Sequence, residues 1–167
     1  MLVREATTAD AAAIFAVHEA AFEGDAEARL VGMLDADGDT LVSLVAGIEG
    51  GIVGHVLFSR MDVVADGIAL PAAGLAPVGV LPHYQGIGLG SALIREGLAR
   101  LPGLGVQISF VLGHEGYYPR FGYSADLAAP FESPYKGPHF MALALDSGLA
   151  RPQSGRADYA PAFARLG

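Results

Sequence analysis

The residues of this 167-residue chain whose types and spacing suit chemistry lie between Val78 and Ser91. Gly86, Gly88 and Gly90 recur at alternate positions just after an apolar strand that carries Val78 and Val80. Pro82 ends that strand, because proline has no N–H to give to a ladder. Beyond the glycines the apolar spacing becomes helical, with Leu89 and Leu93 on one ridge and Ile94, Leu98 and Leu101 on another. The glycines therefore predict a helix N-terminus, where the first N–H groups lack partners and the macrodipole adds partial positive charge. Main chain alone can then hold an anion with several oxygens, and glycine lets it come close. A dinucleotide fingerprint would need a glycine where Ser91 stands, and a position near a first strand rather than after some 80 residues. A P-loop would need a Lys-Ser/Thr pair, and the chain's one lysine is Lys136.

Gln85-x-x-Gly88-x-Gly90, directly after Val80-Leu81-Pro82, resembles the acetyl-CoA pyrophosphate loop of the GNAT superfamily of N-acetyltransferases. Tyr118-Pro-Arg-Phe-Gly122-Tyr123 is similar to that family's Tyr-x-x-x-Gly-Phe element, with Tyr123 in place of Phe. Together with Leu112-Gly113-His114 and the doubled Tyr117-Tyr118, these elements look most like the YhbS-like branch, over about Leu2 to Leu145. The resemblance implies an α/β fold of the acyl-CoA acyltransferase type, a central mixed, mostly antiparallel sheet of about six to seven strands flanked by helices. It implies acetyl-CoA as co-substrate, with no metal, bound by Val78, Gly79 and Val80 and by the turn Gln85, Gly86, Ile87, Gly88, Leu89, Gly90 and Ser91. It also places Tyr118 at the family's tyrosine position, as general acid. A phenol near pKa ~10 can protonate a thiolate whose conjugate acid is near ~8.5. Tyr117 is then left to packing, and the competing reading of Tyr118 is a buried tyrosine that bridges helix and sheet.

Acetyl transfer from a thioester to an amine needs a neutral amine, donors for the developing oxyanion and a proton for the departing thiolate. With no cysteine in the chain, transfer is expected to be direct, in a ternary complex. Backbone N–H groups near Val78 to Val80 are the expected oxyanion donors. Ala73 to Leu81 holds no acidic residue, so the base is sought in His114, with Glu115, His55, Glu23 or a water relay as alternatives. Glu23 is also the candidate for binding the acceptor. His83 is expected to face solvent or the phosphates, and His18 to border the core. The rival function is a non-catalytic acyl-CoA-binding sensor or regulatory module. No G-x-S-x-G or H-E-x-x-H occurs, and the five histidines are too scattered to suggest a metal site.

The elements that must position these residues follow from pattern and composition. Hydrophobic residues at 52% against 17% charged describe one compact domain over residues 1–167, with its core at about 2–145 and a tail at 146–167. A net charge of −8 argues against nucleic acid. The uncharged run Gly67 to Ile94 cannot be a membrane helix, because it holds Pro71, Pro77 and Pro82, and the early Arg4 and Glu5 read as cytoplasmic. A monomer or homodimer is expected. Residues 1–66 carry twelve acids against three arginines and the remainder six against seven bases, which suggests a cationic acceptor, either a small-molecule amine or a peptide or protein amine.

Thr7-x-x-Asp10 has capping-box spacing and opens a helix to about Phe22, and Leu30, Val31 and Leu34 mark a second. Leu41 to Ile48 and Ile52 to Arg60 read as a hairpin through Glu49-Gly50-Gly51, and Gly54-His55 as a bulge or a close approach. Val106 to Leu112 and Phe140 to Leu145 are later strands, with an irregular helix over Gly113 to Arg120, a loop at Ala129 to His139, and a short strand and helical turn in the tail. Pro77 fits an edge or a bulge. The resemblance places the pantetheine arm in a gap beside that strand.

Overall fold

The computed structural model describes residues 1–166. Eight strands form one sheet: β1 (Leu2–Glu5), β2 (Thr40–Ile48), β3 (Gly51–Ala65), β4 (Ile68–Val80), β5 (Ile108–Leu112), β6 (Phe131–Glu132), β7 (Phe140–Ala144) and β8 (Gly155–Tyr159). The main path runs β1-β2-β3-β4-β5-β7. All of its pairs are antiparallel except β4 with β5, so the expected mixed, mostly antiparallel sheet is present. Helices α1 (Ala11–Phe22) and α2 (Ala26–Asp37) cover one face and α3 (Leu89–Arg100) the other, while α4 (Ala125–Ala128) is a single turn. None of the helices among the described residues is long and apolar enough to cross a membrane.

Local chemistry sets the boundaries. Thr7 and Asp10 close the predicted capping box, and the Arg4 fork holds the Asp10 carboxylate at 2.8 and 3.0 Å. Both hairpin turns use positive φ, Glu49 with Gly50 and Asp66 with Gly67, as two-residue turns between twisted strands require. The alternation of Met61, Val63 and Ala65 carries β3 five residues past the predicted end at Arg60, because β8 pairs there, along the edge that β2 leaves after Ser59. The tail is thereby built into the sheet. Its short strand is the one expected, and it is followed by a 3-10 segment, Pro161–Leu166.

Three apolar clusters hold the layers. Leu93 and Ile94 of α3, with Leu101 at its C-cap, pack on Val56, Phe58 and Leu75, and each such side chain contributes roughly 1.5–3 kcal/mol by leaving water. Gly97 permits close contact, since a Cβ there would collide with the Phe58 ring. Ile14, Leu30 and Leu34 pack on Val45 and Leu57 on the opposite face, joined by Ala160 and Ala162 from the tail. Phe110, Phe131 and Phe140 form the third cluster around β5 and β8.

The feature that shapes the site is the parting of β4 and β5. Their pairing runs only from Ala72/Ile108 to Leu75/Val111, after which β4 continues to Val80 paired with β3 alone. Between Leu75 and Val78, β4 has two residues, Ala76 and Pro77, opposite the single Leu57 of β3. This is a bulge, and it is where a proline is tolerated.

Candidate functional site

The parting leaves an unpaired backbone edge. Leu81 donates its N–H to Val53 (2.8 Å). By the alternation of an antiparallel ladder, Gly79 then also faces β3, while Val78 and Val80 turn their polar groups to the side that β5 has left. The Val80 carbonyl is met by Gln85, whose Nε2 donates to it at 2.9 Å and so ties the turn back onto the strand. The open N–H groups of Val78 and Val80 are where the sequence expected oxyanion donors.

The turn completes the surface. Gly86 and Gly88 have φ of 81° and 89°, a left-handed conformation that side chains resist, and Gly88 caps α3. Ala92 is the first to donate within the helix, to Gly88 (3.0 Å), which leaves the N–H groups of Leu89, Gly90 and Ser91 without helical partners. The Leu89 side chain is buried in the core, whereas Ile87 is two-thirds exposed. A concavity of about 340 Å³ opens over this turn, lined by Val80, Tyr84, Gln85, Ser91, Tyr117 and Arg120 among others.

Two of these lining residues enlarge the sequence reading. Tyr117, expected only to pack, also places its hydroxyl 2.8 Å from Ser91 Oγ and so links the loop after β5 to the first turn of α3. Arg120 stacks over the Tyr117 ring at 4.4 Å and donates from Nε to the Tyr117 carbonyl (2.8 Å), which puts a cation at the mouth of the concavity. Arg120 occupies a variable place in Tyr-x-x-x-Gly, so the pattern gave it no weight. Tyr118 starts the short 3-10 turn Tyr118–Phe121 and packs beneath Gly113, where a Cβ would strike its ring. Burial, with Tyr117 close by, pushes its phenol up to about 12.

The remaining candidates separate. His114 and Glu115 are exposed in the turn after β5, and the His114 carbonyl accepts from the N–H groups of Tyr117 and Tyr118. His83 is exposed and meets the Tyr84 ring edge to face. Glu23 is exposed at the C-cap of α1, with φ of 54°. His55 is fully buried, and so is His18, which faces it across 2.7 Å. Gly54 is a close approach, with a Cβ there 3.1 Å from Leu93 Cδ1, and a bulge lies beside it between β2 and β3. Among the described residues no group of three or more His, Cys, Asp or Glu side chains could hold a metal ion.

Comparison with known proteins places this geometry. Residues 2–125 match the acetyltransferase (GNAT) domain. Escherichia coli (strain K12) YjhQ, described as an uncharacterized N-acetyltransferase, is 38% identical over 150 residues, 87% of this chain and 83% of that one. YhbS of the same strain is 42% identical over 130 residues, 77% of this chain and 75% of its own length. The crystal structure of E. coli YhbS in complex with CoA superposes with a TM-score of 0.86 at 33% identity, covering 99% of this chain and 93% of that one. A GNAT family acetyltransferase from Brucella melitensis in complex with acetyl-CoA gives a TM-score of 0.79 at 37% identity, covering 97% of each chain. A domain match of this extent, with relatives this similar over most of both chains, shows that the chain belongs to the GNAT acetyltransferase family.

Proposed function

We propose that the protein binds acetyl-CoA and transfers its acetyl group directly to a primary amine within a ternary complex. The observation that carries this reading is the open edge of β4, where the N–H groups of Val78 and Val80 continue the line begun by the free N–H groups of Leu89, Gly90 and Ser91. A pyrophosphate on the Gln85–Ser91 turn, beside Arg120, would send the pantetheine arm along β4, its amides replacing the ladder partners that β5 withdraws. The thioester would then lie along Val78 to Val80, where one open N–H group, that of Val78 or of Val80, would receive the charge that develops on its oxygen. Tyr118 supplies the proton to the CoA thiolate. A phenol that burial pushes up to about 12 keeps its proton at neutral pH, and a thiolate taken out of water beside it would gain basicity as well.

The acceptor is cationic. Of the acids in the first two helices and their loops, Asp25, Asp37 and Asp39 are paired with Arg29, Arg165 and Arg60, which removes part of the field expected from sequence. Among the described residues Glu19, Glu23, Glu27 and Asp35 have no cationic partner, and Glu19 and Glu23 lie at the C-terminal end of α1, where the last turn has no basic residue and the helix dipole adds to their charge. A local electrostatic cost of this kind, kept beside the site, supports attraction of an ammonium. The test is release of free CoA from acetyl-CoA over a panel of amines, with the acetylated product weighed by mass spectrometry. Turnover that requires amine supports transfer. A raised melting temperature with acetyl-CoA but no CoA release from any amine would instead leave the acyl-CoA sensor.

A further inference from the structure

Behind the cofactor strand runs a hydrogen-bonded chain with no part in the steps above. His18 of α1 and His55 of β3 are both fully buried, and His18 Nε2 lies 2.7 Å from His55 Nδ1 with the rings edge to face. His55 Nε2 lies 2.8 Å from Ser43 Oγ of β2. Ser43 is half-buried and, with Thr7 and Thr40, lines a cleft of about 480 Å³ between α1 and α2. At the other end His18 Nδ1 is buried without a partner among the described residues. It rests on β4, so close that a Cβ at Gly79 would lie 2.7 Å from it. Gly79 stands between Val78 and Val80, whose N–H groups face the edge that β5 has left. Three side chains therefore connect the middle of the cofactor strand with an open cleft.

A buried imidazole nitrogen left unpaired is costly and calls for a function. Burial lowers His18 to about 4, and burial with His18 beside it lowers His55 to about 3, so both rings are neutral near pH 7. Two neutral rings and a hydroxyl can share their protons in two consistent ways. In one, His18 Nε2–H donates to His55 and His55 Nε2–H donates to Ser43, which leaves a lone pair on His18 Nδ1. In the other, every proton has moved one place and Nδ1 carries hydrogen.

We propose that His18, His55 and Ser43 are the proton-accepting relay of the reaction, His18 Nδ1 taking a proton from the acceptor's ammonium beside Gly79 while Ser43 releases one to the α1–α2 cleft. The proposal rests on the acetyltransferase reading and supplies its missing base. An N–H bond of the ammonium breaks as Nδ1–H forms; His18 Nε2–H passes to His55 Nδ1, His55 Nε2–H to Ser43 Oγ, and the hydroxyl proton of Ser43 to cleft water. The amine, now neutral, attacks; Tyr118 gives its proton to the departing thiolate, and the second proton that the nitrogen loses as the amide forms restores the phenol. When the amide has left and water fills the site, Nδ1 gives its proton to that water and Ser43 takes one up from the cleft. The chain is restored and one proton per turnover has reached solvent. A lone imidazole at about 4 would be too weak to keep the proton, whereas a relay sets the cost by the pH of the solvent.

The experiment is steady-state acetylation by the intact chain between pH 7 and the pKa of one reactive amine. Wild type is compared with His18→Gln, His55→Gln and Ser43→Ala, and the acetyl-CoA melting shift is followed alongside. His18→Gln should lower kcat/KM at pH 7 by roughly 10²-fold, and Ser43→Ala by about 5- to 10-fold, the worth of one hydrogen bond. Both deficits should shrink as the pH nears the amine's pKa, where no base is needed. Ser43→Ala removes one half-buried hydroxyl and keeps the test usable if a histidine variant fails to fold. A deficit equal at every pH, or a Ser43→Ala enzyme with the wild-type profile, overturns the relay. A wild type that turns over no amine sinks the acetyltransferase reading, and the relay falls with it.

Discussion

Strand β4 carries one backbone past two unlike surroundings. At its open edge and towards α3, polar atoms belong to the main chain: the N–H groups of Val78 and Val80, and those of Leu89, Gly90 and Ser91. Towards α1 they belong to side chains, and the strand gives way to them. Gly79 makes room for the His18 ring and Gly74 for the ring of Tyr159, where a Cβ would lie 2.6 Å away. The donor side thus depends on the local path of one segment, and the acceptor side on groups gathered from α1, β2, β3 and β8. Substitutions in the glycine turn of the first should disturb cofactor binding alone, whereas loss of the Tyr118 hydroxyl there should disturb the chemistry alone. On the second they should disturb proton transfer and folding together.

The sharpest test of this division is Tyr118→Phe. Loss of the hydroxyl should lower kcat by roughly 10²- to 10⁴-fold while the acetyl-CoA dissociation constant, measured by calorimetry, stays near wild type. Near-normal turnover would return Tyr118 to its packing place under Gly113.

Next in size is the acid response of stability. His18 and His55 titrate at about 4 and about 3 when folded but near 6.5 when unfolded, so between pH 6.5 and 4 the unfolded chain binds more protons. Stability should fall as pH drops through that window, by up to about 2.7 kcal/mol per pH unit if both contribute fully. Urea midpoints across the window will read this slope, and His55→Gln should flatten it. An equal slope in that variant would place the acid sensitivity elsewhere.

Gly88→Val probes the other side. Valine at a φ of 89° is strained by roughly 1–2 kcal/mol, and its side chain enters the turn's open face, so acetyl-CoA should bind about tenfold more weakly or worse. The acid slope should not change. The smallest effect belongs to the rim. Glu19→Gln and Glu23→Gln should each cost about twofold in kcat/KM for a cationic amine at low salt and nothing at high salt, as screened surface charge requires. A loss that survives salt would mean direct contact with the acceptor.

The same division explains what was legible in the sequence. Gly86, Gly88 and Gly90 could be read because strand, turn and helix are contiguous, and each local rule agrees with the others. The hairpin turns were visible for the same reason. The His18–His55 contact spans 37 residues, and neither residue stands in a pattern that announces the other. Gly79 looked like part of the donor site, and its second use, as the vacant place beside His18, exists only once α1 crosses the strand. The last third of β3 was missed because Met61 to Ala65 is confirmed as strand by β8, which arrives from the other end of the chain.

That arrival has a consequence for biosynthesis. Met61 to Ala65 can pair with β4 soon after Leu70 emerges, but its second edge is closed only by residues 155–159. At ribosomal rates of roughly 5–20 residues per second, a β-branched edge containing Val63 and Val64 stays bare for roughly 5–20 s in every nascent chain. An exposed edge of this sort is a template for other extended segments. A chain stalled or cleaved before Gly155 would keep that edge permanently, so truncation should show itself as aggregation before it shows itself as lost catalysis.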